Sequence, residues 1–555
     1  MMTEHVDALV VGAGFSGIYQ LKKLRDQGLK VKAIEAGSGV GGTWFWNRYP
    51  GAMSDTEAYL YRYSWDSDDL QSYPWSRHYL QGPEVLAYLE HMVKRHDLGK
   101  DIELNTRLVS AEWDEVTSRW NILTSSTSSK IYQTRYLVTA LGILSKQNLP
   151  PFPNREAYRG QIYHTGSWPT EGVDLRGKRV GVIGNGSTGV QVITAIAKDV
   201  KQLVCFQRSP QYSVPSGDAA IPDGYREDIN KRYNEIWKQV KKSKFAFGIE
   251  ESERLTASVS PEEREQIYET AWQRGGGFRF AFGTFGDISV DEEANGLAAD
   301  FIKRKIASIV HDPDKARKLT PAEFYARRPL CDAGYYEQFN RENVDIVSLK
   351  ETPITSFTAT GIKTSDGVEY GLDVVICATG FDAVDGNYLR ASITGRGGLT
   401  LKDHWSAGPS SYLGMFVPRF PNMFMVLGPN GPFTNIPPTI ETQVEFISDL
   451  IQEAERRRHG GGGLPSHDGP NGTSHAVAVG GPIVEAREEA EGTWTQHCDD
   501  LSKDSLYRRT DSWIFGANIP GKKHSVLFYF GGLAQYRQLL AEEAEGGRYP
   551  SFQPF

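Results

Sequence analysis

Val10-Val11-Gly12-Ala13-Gly14-Phe15-Ser16-Gly17 closes an apolar strand at residues 6–12 and opens a helical stretch at 13–27. Glycines at this spacing let bare backbone approach a pyrophosphate while the helix N-terminus faces its charge. The next strand, Val31-Lys32-Ala33-Ile34-Glu35, ends in an acid. An acid there accepts hydrogen bonds from a free ribose hydroxyl. The pattern recurs at Val182-Ile183-Gly184-Asn185-Gly186-Ser187-Thr188-Gly189, but its answering strand, Leu203-Val204-Cys205-Phe206-Gln207-Arg208, ends in a base. Arginine suits a ribose that carries a 2′-phosphate. The two turns therefore predict two dinucleotides, one like FAD and the other NADPH rather than NADH.

Outward from these turns the chain divides into domains. At 555 residues it is long enough for two or three separate cores. Strands 136–142 and 373–380 also end in glycine turns, and the Pro-rich Leu149-Pro150-Pro151-Phe152-Pro153 follows the first. We expect an α/β fold with two Rossmann-like dinucleotide-binding domains, the second inserted in the first. The expected boundaries are 1–145 and 381–555 for the FAD domain, and 146–221 and 327–380 for the NADP domain. A helical subdomain is expected at 222–326, where Ile229 to Val240 and Pro261 to Arg274 have amphipathic spacing. It either pads the NADP domain or covers the active site, and the two readings are compatible. The glycine- and proline-rich stretch at 459–475, within an insertion near 459–481, predicts a disordered surface loop.

Composition excludes several partners. The chain is 39% hydrophobic and 23% charged, with a net charge of −8, which offers nothing to nucleic acid. Nothing resembles a signal peptide or a membrane span. Cys205, Cys331, Cys377 and Cys498 are far apart and form no CxxC pair. That spacing points to a reducing, cytoplasmic setting and away from a metal site.

Two further motifs narrow the chemistry. Gly41-Gly42-Thr43-Trp44-Phe45-Trp46-Asn47-Arg48-Tyr49-Pro50-Gly51-Ala52-Met53-Ser54-Asp55 follows the first βαβ unit, and its aromatic residues can shape a flat slot for a flavin. Tyr158-Arg159-Gly160-Gln161-Ile162-Tyr163-His164-Thr165-Gly166-Ser167-Trp168-Pro169 lies between the nucleotide domains. There His164 reads as a structural or conformational group rather than an acid–base catalyst. Together the stretches resemble the type I Baeyer–Villiger monooxygenases, most closely the cyclohexanone monooxygenase branch. The signature FxGxxxHxxxW followed by Pro or Asp is matched at Gly160, His164, Trp168 and Pro169, with Tyr158 replacing the leading Phe. A second signature is met by Gly41, Gly42, Trp44, Tyr49, Pro50, Gly51 and Asp55, and the likeness spans nearly the whole chain.

The resemblance implies that NADPH reduces FAD, and that a peroxyflavin formed with dioxygen turns an apolar ketone into an ester or lactone. It implies that Arg328, in Arg327-Arg328-Pro329, is the catalytic arginine and that Asp55 positions it. Arg208, Ser209 and Arg327 would hold the 2′-phosphate, with Arg327 standing where the family has lysine. Gly12, Gly14, Phe15, Ser16, Gly17, Glu35, Thr43, Trp44, Trp46, Tyr61 and Val109 are expected at the flavin. Gly184, Gly186, Ser187, Thr188 and Gly189 are expected at NADP. Trp513 would close over the nicotinamide. Phe433, Thr434 and Asn435, with Phe247 and Phe280, would line the substrate pocket. A monomer is the family default. The alternatives are a flavin monooxygenase acting mainly on sulfides or amines, and a non-catalytic FAD/NADP redox sensor. The combination of Trp168, Pro169 and Arg328 argues against the former, and the pairing of Asp55 with Arg328 against the latter.

Overall fold

The computed structural model describes residues 3–125, 130–459 and 481–555. Most of the glycine-rich insertion predicted as a loop lies outside them. Strand Thr3–Val11 runs parallel to Val31–Ile34 on one side and to Ile131–Thr139 on the other, pairing Val10 with both Ala33 and Val138. The sheet extends through Ile102–Glu103 at one edge and antiparallel strands Arg119–Thr124 and Leu108–Asp114 towards the other. The helix after the glycine turn spans Phe15–Asp26 and buries Ile18, Leu21 and Leu24. It starts later than the sequence suggests because Gly14 is an extended N-cap. Gly12 sits at φ +111, and a β-carbon on it would lie 2.4 Å from the Ala140 carbonyl oxygen. Any side chain would therefore break the strand-to-helix turn.

The second sheet is wholly parallel, in the order Val344–Ser348, Gln202–Gln207, Arg179–Ile183, Val374–Cys377 and Gln161–His164. The chain enters it at Gln161 and leaves it at Cys377, then returns to the first sheet through Ser392–Thr394 and Met423–Met425. The second dinucleotide fold is thus inserted into the first.

Between Gln207 and Val344 the chain is mainly helical. Helix Tyr225–Val240 is preceded by Gly224 in the left-handed region. Helix Pro261–Arg274 is capped by Ser260, whose hydroxyl accepts from the Glu263 amide, with proline in the first turn. Ile229, Tyr233 and Trp237 join the core of the first sheet. Tyr268, Phe280, Phe301 and Ile302 join the core of the second sheet. The helical region therefore packs against both sheets.

Helix Ile436–Arg458 lies against Phe15–Asp26 and carries a buried acid, Glu441, 2% exposed. Both carboxylate oxygens accept hydrogen bonds from Ser64, through its amide and its hydroxyl. Burial pushes the Glu441 carboxyl up to about 7, against the opposing effect of the Ser64 bonds. Because the folded value is raised, the stability this group contributes is complete below about pH 4.5 and is lost as pH rises through about 7. Glu441→Gln keeps an acceptor for the Ser64 amide and removes the titration. The variant's melting temperature should gain on the parent between pH 5 and pH 8, by the equivalent of about 2–3 kcal/mol. A constant difference across that range would show that Glu441 does not titrate there.

Candidate active site

Both glycine turns open onto one cavity of about 810 Å³ between the sheets. Gly12, Gly14, Phe15 and Ser16 line it from the first turn, and Gly186, Ser187 and Thr188 from the second. Gly17, Gly184 and Gly189 do not reach it; they close the turns. A β-carbon on Gly17 would lie 1.7 Å from the Gly12 carbonyl oxygen, and one on Gly189 would lie 2.2 Å from that of Gly184. Gly186 differs. Its φ of −69 suits any residue, and a β-carbon there would meet no protein atom within 4 Å. Neither backbone nor packing requires glycine at Gly186, whereas a pyrophosphate lying on the turn would. These residues thus fit a dinucleotide.

The flavin end fits too. The buried Glu35 carboxylate lines the cavity and accepts from the Ala13 amide at 2.8 Å and the Gly37 amide at 2.7 Å. It holds the phosphate turn in shape and retains lone pairs for a ribose hydroxyl. Thr43, Trp44, Trp46 and Tyr61 line the same end, and the Trp44 indole donates to the Tyr61 hydroxyl at 3.3 Å. Val109 does not line the cavity. Leu108 does, and strand alternation turns Val109 outward, 40% exposed.

Asp55 and Arg328 meet across the cavity wall. Asp55 lies on strand Met53–Glu57, and Arg328 is two residues before the short strand Leu330–Asp332. The guanidinium donates from both Nη atoms to the two Asp55 oxygens, the longer bond at 3.0 Å. This fork fixes the orientation of the Arg328 plane. Its other side lies over the Phe278 ring, 5.1 Å from the centroid. Burial works against the Arg328 charge, and Asp55 more than offsets it, so the guanidinium stays above its ordinary value. The arrangement presents a fixed, permanently charged donor to the cavity.

Two further guanidinium groups, near one another, lie on the cavity lining. Arg208 and Arg327 both line it, whereas Ser209 is buried beside Arg208 and does not. Burial and the nearby Arg208 lower the affinity of Arg327 for its proton, with Glu323 acting in the opposite sense.

The apolar wall includes Phe247, Phe433, Thr434, Asn435 and Trp513. Phe280, expected in this pocket, is not there. It is fully buried among Tyr268, Phe301 and Tyr325. Phe278 takes its place, stacked on Phe247 with centroids 3.6 Å apart. Trp513 begins a short helical turn, edge-on to Phe528 at 5.7 Å. Its segment is tied to the interdomain crossing: the Lys522 ammonium bonds Asp382 and Asp385, each at 2.6 Å.

The two signature segments are joints. Gly51 packs against helix Ser187–Ile196, where a β-carbon would lie 2.6 Å from the Gln191 carbonyl oxygen. Gln191 accepts from the Tyr49 hydroxyl at 2.7 Å and donates to the Met53 carbonyl at 3.1 Å. Gln191 escaped the sequence reading because it lies inside the second fingerprint helix, with no motif of its own. His164 ends a strand of the second sheet, its Nδ1 accepting from the Gly166 amide at 3.0 Å. Burial holds this imidazole below its ordinary value. The extra hydroxyl of Tyr158 donates to the Leu372 carbonyl at 3.0 Å, which accounts for tyrosine at that position.

A family model described as flavin-binding monooxygenase-like matches residues 6–251. The chain is 50% identical to a Baeyer–Villiger monooxygenase of Pseudooceanicola batsensis, over 98% of this chain and 95% of the relative. It is 49% identical to a phenazine N-monooxygenase of Lysobacter antibioticus, over 98% of this chain and 96% of the relative. Among solved structures, cyclohexanone monooxygenase from Rhodococcus sp. Phi1 bound to NADP+ superposes with a TM-score of 0.94 at 51% identity. That match covers 100% of this chain and 99% of the other.

Proposed function

The chain belongs to the Baeyer–Villiger monooxygenases, and from that premise we propose that it is an NADPH- and dioxygen-dependent flavoenzyme converting ketones into esters and cyclic ketones into lactones. The observation that carries the reading is the Asp55–Arg328 fork facing a cavity entered by two phosphate turns. In the overall reaction, ketone, dioxygen, NADPH and a proton give ester or lactone, NADP+ and water. FAD, when bound, supplies hydride acceptance and dioxygen activation.

The chain's own residues supply position and charge. The Gly12–Ser16 turn would hold the FAD pyrophosphate, and Glu35 would accept from its ribose. The Gly186–Thr188 turn would hold the NADPH pyrophosphate, and Arg208 and Arg327 would hold the 2′-phosphate. Arg328 stabilises the negative charge that builds on the ketone oxygen as it is attacked. Asp55 keeps that guanidinium aimed. Phe247, Phe278, Phe433 and Trp513 receive an apolar substrate and exclude water from the reaction.

Among the described residues no helix is long and apolar enough to cross a membrane. Four free, buried thiols support a reducing cytoplasmic location. We propose a monomer, as the family resemblance implies.

Purified FAD-loaded protein given NADPH, air and cyclohexanone should yield caprolactone, with one NADPH oxidised per lactone. NADPH consumed only into hydrogen peroxide across a broad ketone panel would overturn the assignment. A second reading, oxygenation of a ring nitrogen, is favoured by the phenazine N-monooxygenase relative. Phenazine in the same assay decides it: N-oxide formation outpacing every lactone would make nitrogen the preferred target. Arg208→Ala should lower the preference for NADPH over NADH by about tenfold or more, read as the ratio of kcat/KM values. An unchanged ratio would remove Arg208 from the 2′-phosphate site.

A further inference from the structure

Arg327 already has an anionic partner. It donates from Nη2 to the Glu323 carboxylate, four residues earlier in the chain. No other hydrogen bond of its guanidinium is found among the described residues, and its Nε is buried with no acceptor. Glu323 also accepts from the Lys350 ammonium at 3.2 Å. Arg208 is exposed and, among the described residues, its side chain has no hydrogen bond or ion pair. One end of the cavity therefore has two guanidinium groups, one free and one engaged. Asp511 is a second nearby acid.

We propose that Glu323 is a specificity-determining residue: a resident counter-ion that competes with the nucleotide 2′-phosphate for Arg327 and so limits the preference for NADPH over NADH. The proposal rests on the reading of Arg208 and Arg327 as the 2′-phosphate pair.

The chemistry follows from what each ligand brings. A 2′-phosphate is a dianion that needs donors and is repelled by a carboxylate. To bind Arg327 it has to displace Glu323 or share the guanidinium with it. Glu323 can yield, since its side chain is 37% exposed and Lys350, 58% exposed, waits on its outer side. NADH carries a hydroxyl at the same position, and a carboxylate accepts from a hydroxyl. Glu323 therefore disfavours the phosphorylated ribose while tolerating the plain one. Glu323 also compensates an Arg327 charge that burial and Arg208 both oppose.

Calorimetric titration of the FAD-loaded protein with NADP+ and with NAD+ tests this without turnover. Glu323→Gln keeps size and hydrogen-bonding capacity and removes the charge. It should tighten NADP+ by about three- to tenfold and leave NAD+ unchanged or weaker, with the gain shrinking as salt rises. Arg327→Ala separates the two layers of the argument. It should weaken NADP+ selectively. If Arg327→Ala shifts both nucleotides equally, or neither, the 2′-phosphate reading itself falls. If Arg327→Ala behaves as expected but Glu323→Gln weakens NADP+ or leaves it unaltered, Glu323 positions Arg327 or stands apart from it, and the counter-ion proposal is overturned.

Discussion

Replacing Arg328 with alanine should abolish lactone formation while NADPH still reduces the flavin. The loss in oxygenation should reach at least about 10³-fold, the scale expected when a preorganised donor to a developing oxyanion is removed. Reduction should change by less than about tenfold, since hydride transfer builds no negative charge at that position. NADPH would then be oxidised with hydrogen peroxide as the product. The structure motivates the separation. Arg328 owes its fixed plane to the two-pronged contact with Asp55 and to the Phe278 ring behind it. Neither contact involves the turn at Gly186. Arg328→Lys sharpens the test, because lysine keeps the charge and loses the fork. It should recover only part of the lost activity. Retained reduction by both variants would show that the fold and the nucleotide site are intact. Lactone formation at the parental rate in Arg328→Ala would remove Arg328 from the chemistry.

What could be read from the chain, and what could not, divides along a physical line. The two glycine turns were legible because close backbone packing forces glycine at the first and last glycine of each. At Gly12 and Gly189 a β-carbon would collide with carbonyl oxygens at 2.4 Å and 2.2 Å. Asp55 and Arg328 were named through family signatures, but their contact joins residues 273 positions apart, which no local pattern records. The helix Gly277–Gly283 shows where reading failed. Phe278, Phe280 and Phe282 alternate along the chain, and any of them could serve an apolar pocket. On a helix, residues four apart share a face and residues two apart do not. Phe278 and Phe282 therefore stack on Phe247 and Phe245, and Phe280 turns into the core. Helical periodicity applied to this seven-residue segment would have selected Phe278. Val109 failed in the same way on a strand, where the cavity takes Leu108 and the solvent its neighbour.

Gly186 separates a requirement of the ligand from a requirement of the fold. Its dihedrals are ordinary, and a methyl group there would touch no protein atom within 4 Å. Gly186→Ala should therefore fold normally, with a melting temperature within about 1 °C of the parent in the absence of nucleotide. Binding should suffer instead. If the second turn holds the pyrophosphate as proposed, the added methyl would stand in its path, pushing the nucleotide off the helix N-terminus and displacing the nicotinamide with it. NADP+ affinity should drop by about tenfold or more, and flavin reduction should slow by about 10²-fold, the scale of an ångström's misplacement between reacting groups. Gly189→Ala provides the contrast, since its β-carbon would sit 2.2 Å from the Gly184 carbonyl oxygen. That variant should lose stability before any nucleotide is added. If Gly186→Ala melts early like Gly189→Ala, the second glycine serves the fold. If it binds NADP+ as tightly as the parent, the second turn is not where the NADP+ pyrophosphate lies. The pattern opposite to that of Arg328→Ala, with reduction impaired and the fold intact, would assign hydride delivery to the second turn and oxygen transfer to the Asp55–Arg328 fork.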